Sequence, residues 1–285
     1  MVARLLGHQE GVLLSPEPPL TRGFVVSSLR RAGCVFAEDE AQLLMSEAAT
    51  SADLLAKVDR RVAGEPLEHV LGWAEFCGLR IAVDAGVFIP RRRTEHLAQR
   101  AVELARAAGH TDRADAPRAV VVDLCCGTGA VGAAVVAAVE QVELHAGDVD
   151  PAAVRCARRN LAAAGAHVYE GDLYAPLPTA LRGQVDVLVT NVPYVPTGAI
   201  GLMPPEARIH EPRVALDGGA DGLDVLRRVV AEAPVWLAAG GSVLVETSER
   251  QAALAVETFT RYGLVAREVG SDELSATVVI GTRSP

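Results

Sequence analysis

The chain has 285 residues, 50% of them hydrophobic and 22% charged, with a formal net charge of −9. Such a chain buries a sizeable core, which excludes an intrinsically disordered protein. No apolar run reaches the roughly 18 residues of a membrane span, and the acidic balance argues against a broad phosphate-binding face of clustered Lys and Arg, so neither membrane insertion nor stable nucleic-acid binding is expected.

The first eleven residues lack the apolar core and cleavage site of a secretory signal, which points to the cytoplasm. Cys34, Cys77, Cys125, Cys126 and Cys156 are odd in number, without the spacing of a zinc site or redox pair, and are expected to be buried free thiols.

Taken in order, residues 1–23 carry Pro16, Pro18 and Pro19 without periodicity and read as a poorly ordered extension. Residues 24–63 switch to helical spacing, closing with Leu54, Leu55, Val58 and Val62, for which Ser51 is the expected N-cap and Gly64 with Pro66 the stop. We therefore expect an N-terminal helical domain over 24–75. Alternation from Phe76 to Ile89 around Asp84-Ala85-Gly86 predicts a β-hairpin. Thr94 is expected to cap the helix that follows, and Arg91 to Arg93 read equally well as a solvated turn or as a basic rim. The polar stretch 110–118 reads as a linker closing the 76–118 segment.

From 119 onward strands and helices alternate. Strands are predicted at 119–124, 142–146, 166–169, 185–190, 242–246, 264–269 and 276–280, with helices near 130–139, 151–164, 222–238 and 249–262. That order implies an α/β fold: a mostly parallel, Rossmann-like sheet of seven strands covered on both faces, whose last two strands pair antiparallel, all in a cofactor-binding domain over 119–285.

Three strand ends carry chemistry. Asp123-Leu124-Cys125-Cys126-Gly127-Thr128-Gly129 joins a buried strand to a helix through glycines that let a ligand approach the backbone. Asp148 ends the next strand, about 25 residues on, where ribose-binding carboxylates sit in nucleotide folds. Asp172 and Leu173 follow the third strand, suited to an adenine amine and ring. The turn lacks the third glycine of a pyrophosphate site, and Asp123 at its mouth would repel phosphate but suit an ammonium group. That favours S-adenosylmethionine over a dinucleotide. A fourth strand ends in Asn191-Val192-Pro193-Tyr194, a polar amide beside a rigid turn.

With these residues the chain resembles the class I methyltransferases, and more closely the protein-(glutamine N5) methyltransferases that modify peptide chain release factors. The likeness runs from about residue 64 to 281. It rests on Gly64-Glu65-Pro66-Leu67-Glu68-His69, on Ile89-Pro90-Arg91 with Thr94-Glu95, on the 123–129 turn, on Asn191 to Tyr194, and on Glu211-Pro212 with Ala215-Leu216. The resemblance implies that Cys125 to Gly129, Asp148, Leu173 and Asn191 contact S-adenosylmethionine, and that Asn191, Val192, Pro193 and Tyr194 contact a glutamine side chain. The chain departs from the family in reading Asn-Val-Pro-Tyr for Asn-Pro-Pro-Tyr, and its helical unit before Gly64, which the resemblance implies docks the substrate, looks shorter than the family's docking domain. Both mark a divergent branch, one whose acceptor need not be a release factor itself; the resemblance implies a release factor or a related protein.

These residues suit amide methylation because an amide lone pair is delocalised and must be turned toward the methyl donor. The Asn191 oxygen and the residue 192 carbonyl can each accept one N–H of the acceptor, and Val supplies that carbonyl as well as Pro does. The run 196–213 reads as a long irregular lid over the pocket. Three alternatives stay open: a methyltransferase for adenine in nucleic acid, one for a small-molecule amine or amide, and a catalytically silent cofactor-binding scaffold.

Overall fold

The computed structural model describes residues 20–109 and 118–285. The extension expected at the N-terminus up to residue 19, and the expected linker at 110–117, lie outside the described residues. The chain divides into two compact units, one up to Ala63 and one from Gly64 onward.

In the first unit three helices pack together: α1 (Arg22–Arg31), α2 (Ala37–Glu47) and α3 (Ser51–Val62). Val25, Leu29, Leu44 and Val58 are buried. Helix α3 is capped one residue earlier than Ser51: the Thr50 hydroxyl accepts from the Asp53 amide, because Thr50 has the extended backbone that an N-cap needs. Helix α1 is likewise capped by Thr21 and so begins before the expected position. Glu40 and Arg61 form a buried ion pair at 2.6 Å between α2 and α3.

The second unit begins with α4 (Leu67–Leu71), β1 (Trp73–Phe76) and β2 (Leu79–Ala82), so residues 64–75 belong here and not to the helical unit. The hairpin differs from expectation. Phe76 pairs with Leu79, which puts the turn at Cys77-Gly78, both with positive φ of 51° and 72°. That two-residue turn matches strand twist, whereas Asp84-Ala85-Gly86 forms a separate turn in which the Val87 amide donates to Asp84 O. The hairpin is held at Asn160, whose side chain exchanges two hydrogen bonds with Ala82.

There follow α5 (Glu95–Gly109), β3 (Ala119–Leu124), α6 (Ala130–Ala138), β4 (Val142–Asp148), α7 (Pro151–Asn160), β5 (His167–Glu170) and β6 (Val185–Thr190). After these come α8 (Pro205–His210), α9 (Asp224–Trp236), β7 (Leu237–Thr247), α10 (Glu249–Arg261), β8 (Leu264–Ser271) and β9 (Ala276–Arg283). The large sheet has the order β5-β4-β3-β6-β7-β9-β8, parallel except for β9, which runs antiparallel to both neighbours. Alternation explains both covered faces. Val121, Val187 and Leu244 pack with α5 and α6, while Val122, Leu188 and Val243 pack with α9 and α10.

The order reverses at β3, so the crevice beyond the carboxyl ends of β3 and β6 is the topological switch point, where open α/β sheets bind ligands. Register brings the relevant ends together: Leu124 pairs with Gly147 on one side and Thr190 on the other. Cys125, Asp148 and Asn191 are each the next residue along their own strands.

Candidate active site

A cavity of about 100 Å³ opens at this crevice, lined by Cys125, Gly127, Asp148, Asp150 and the whole turn from Asn191 to Tyr194. A smaller adjoining space is lined by Asp123, Cys126, Thr128, Thr94 and again Asn191. Apart from Gly129, which lines neither space, the residues expected from sequence as cofactor and acceptor contacts therefore converge, with two further exceptions. Asp172 is exposed, its carboxylate paired with Arg228 at 2.5 Å, and neither it nor buried Leu173 lines the cavity. In that place Asp172 meets a cation of α9.

The glycine turn is fixed by the acids around it. Asp148 accepts from Gly127 N at 2.8 Å through one oxygen and from Asp150 N at 2.9 Å through the other. Asp150 in turn caps α7, accepting from Ala152 N with Pro151 in the first turn. Gly127 has φ of 54°, and a Cβ there would point into open space, so a cradle lies over the turn. Asp123 is almost fully buried and accepts from Gly132 N at 3.0 Å; burial pushes its carboxyl up to about 7 against that bond. Burial raises Asp148 as well. The Cys125 thiol is pushed up to about 12 by burial and then by the Asp148 charge, which leaves it protonated. All five cysteines are free, but only Cys126 and Cys156 are buried, the other three being half-buried.

The turn after β6 is held from three directions. Asn191 Nδ2 donates to Thr94 Oγ1 at 3.3 Å, so the Thr94 hydroxyl serves the site besides preceding α5. The Tyr194 hydroxyl donates to Glu246 Oε1 at 3.1 Å, and Arg93 Nε donates to the same oxygen at 3.2 Å, with the Arg93 guanidinium 5.7 Å above the Tyr194 ring. Burial and then the Glu246 charge raise the Tyr194 phenol, which stays a neutral donor. Behind the turn lie Gly218 and Gly222. A Cβ on Gly218 would meet Pro193 O at 2.6 Å, and one on Gly222 would meet Tyr194 O at 2.3 Å, so both positions must be glycine for the backbones to approach. Val192 is 1% exposed, its side chain packed in the core under α9. A β-branched residue there anchors the turn by packing.

Arg91 and Arg93 form a rim on the cavity and not a solvated turn. Arg91 binds Glu211 Oε1 at 2.5 Å, and the same oxygen accepts from Ile89 N. The strap expected as an irregular lid is ordered into a 3₁₀ turn (Thr197–Leu202), α8 and a second 3₁₀ turn (Arg213–Ala215). Its ends meet where Val195 N donates to Leu216 O, and Met203, Pro212 and Leu216 line the cavity.

Sequence reasoning missed Glu246 and the role of Thr94. A lone acid near the end of an apolar strand beside the Asn191 strand was the available signal for the first. Nothing local distinguishes the second from a helix cap, since its partner lies 97 residues away.

Fold and site together define a class I methyltransferase. Residues 110–219 match the methyltransferase small domain family. The release factor glutamine methyltransferase of Geobacter sulfurreducens is 36% identical over 79% of this chain and 76% of its own. The 4-amino-L-phenylalanine/4-methylamino-L-phenylalanine methyltransferase of Streptomyces pristinaespiralis is 35% identical over 72% and 69%. The T. Thermophilus 16S rRNA N2 G1207 methyltransferase, solved with AdoMet and guanosine, matches with a TM-score of 0.50 at 18% identity over 74% of this chain and 49% of that one, a likeness of fold alone. The chain belongs to the family of release factor glutamine methyltransferases.

Proposed function

We propose that this protein transfers a methyl group from S-adenosylmethionine to the side-chain amide nitrogen of a glutamine in a protein, a peptide chain release factor or a relative of one. The observation that carries the proposal is the Asn191 amide, held by Thr94 and set beside the acid-bound glycine turn in one cavity. The bound cofactor supplies an electrophilic sulfonium methyl, whose transfer to nitrogen releases the thioether and one proton.

The chain's own groups fit that cofactor. The open cradle over Gly127 leaves room for it, Asp148 offers its carboxylate to a ribose, and Asp123 offers one to an ammonium group. Asn191 and the Val192 carbonyl accept the two N–H bonds of the acceptor amide, which directs its lone pair and stabilises positive charge as it develops. Tyr194, braced by Glu246, walls the acceptor and keeps water out. The Cys125 thiol, protonated by its surroundings, adds no competing nucleophile.

Thr94→Val keeps the shape and deletes the acceptor of the Asn191 amide. We expect kcat to fall about tenfold with cofactor affinity unchanged, from the loss of one positioning hydrogen bond, and Thr94→Ser to restore it. Steady-state kinetics of the two variants check this.

The raised Asp123 pKa gives a pH dependence with a definite sign. Only the carboxylate pairs with an ammonium group, and with a pKa of about 7 that form is gained as pH rises. Calorimetry from about pH 6 to about pH 7, below the range in which an α-amino group itself loses its proton, should show cofactor affinity rising by roughly fivefold, and Asp123→Asn should flatten the slope. A flat wild-type profile contradicts the role.

The class of acceptor is read by incubating the protein and methyl-labelled cofactor with a host lysate and separating protein, nucleic acid and small molecules. Label in protein supports the proposal, and label in nucleic acid alone refutes it. A small-molecule amine acceptor is the second reading, favoured by the Streptomyces pristinaespiralis relative. It predicts label in the small-molecule fraction.

A further inference from the structure

A second, more open cavity of about 520 Å³ adjoins the catalytic turn, between the end of β7 and the β8–β9 hairpin. It shares Arg93 and Tyr194 with the first cavity. An acceptor whose nitrogen lies at Asn191 can therefore extend past the Tyr194 ring into this space.

The chemistry of the lining is one-sided. Glu246 forms part of the inner wall, and exposed Glu249, Glu268 and Asp272 surround it among serine and threonine hydroxyls. Against these carboxylates stands the Arg93 guanidinium, whose Nε is already bonded to Glu246. The Glu246 side chain is 2% exposed, and its Oε2 is buried with no hydrogen-bond partner among the described residues. A cavity walled by carboxylates favours an N–H donor carrying positive charge. An anionic or purely apolar group gains nothing from such a lining.

We propose that this second cavity is an acceptor subsite for a positively charged residue flanking the methylated glutamine, with Glu246 in its wall and Glu249, Glu268 and Asp272 around its mouth. The proposal rests on the glutamine reading above and narrows it to acceptors with a basic residue beside the target. Complementary charge at the mouth also discriminates against acidic neighbours, since like charges brought together are penalised.

The test uses the full-length protein with S-adenosylmethionine and a series of short glutamine-centred peptides, in which one position at a time carries Lys, norleucine or Glu. It is run on the wild type and on the combined variant Glu249→Gln, Glu268→Gln, Asp272→Asn, whose fold is checked by circular dichroism. At one position or two adjacent ones, Lys should raise kcat/KM about tenfold over norleucine, with Glu the poorest. The combined variant should lose that advantage while keeping the norleucine rate. Equal rates for the three residues at every position, or a Lys advantage that survives in the combined variant, would overturn the subsite and leave the glutamine reading standing. If no peptide is methylated, the glutamine reading is what fails, and calorimetric binding of the same peptides in the presence of S-adenosylhomocysteine decides the subsite. A Lys preference that disappears in the variant supports it, and no preference overturns it.

Discussion

Asn191→Ala is expected to lower methyl transfer by about a hundredfold to a thousandfold, the range seen when one preorganised partner of a developing charge is removed. The side-chain oxygen that receives an acceptor N–H disappears, and Thr94 loses its partner. Cofactor affinity should stay largely intact, because Asp148, Asp123 and the glycine turn are untouched by the change. Calorimetry for the cofactor and single-turnover transfer for the chemistry separate the two effects. Normal turnover in this variant would remove Asn191 from the mechanism.

Asp148→Ala should act on the other side of the site. The carboxylate holds Gly127 N and Asp150 N at once, so its removal takes away the ribose partner and also releases the turn on which the cofactor rests. Charge-assisted hydrogen bonds of this kind contribute about 1.5–3 kcal/mol each, and a loss of about a hundredfold in cofactor affinity follows. With saturating cofactor, transfer should return toward the wild-type rate, since the Asn191 turn remains. A Kd within about twofold of wild type would show that the ribose is held elsewhere.

Much of this was legible in the sequence because two periodicities carry it. Central strands β3 and β6 are apolar on both faces and flanked by turns, and their bounds follow directly from Ala119 to Leu124 and Val185 to Thr190. The cap at Asp150 and the antiparallel last pair are equally local. Strand β7 starts five residues before the predicted strand, since Ala238 to Gly241 reads as helix end and turn, yet the sheet continues through a register shift between Val185 and Val187. The hairpin turn was misplaced because a non-glycine residue, Cys77, takes a left-handed conformation that favours glycine, beside a more conventional Asp-Ala-Gly.

For the site, the acids at strand ends and the Asn191 turn could be found by position alone. What could not be found was which partner each side chain meets. Asp172 suits an adenine by its place after a strand, but Arg228 on α9 pairs with it. Thr94 suits a helix cap by its place before α5, but the fold brings Asn191 to it. Arg93 and Glu246 lie 153 residues apart in sequence and brace Tyr194 together, a pairing that only the sheet order makes visible.

The central claim, that an oriented amide at the end of β6 positions another amide for methylation by the cofactor, is tested most directly by tandem mass spectrometry of the protein acceptor after incubation with cofactor and either the wild type or Asn191→Ala. The account predicts a single added methyl group on a glutamine side-chain nitrogen with the wild type, and none with the variant. A methyl group found on any other residue type, or on glutamine equally with both proteins, would contradict it.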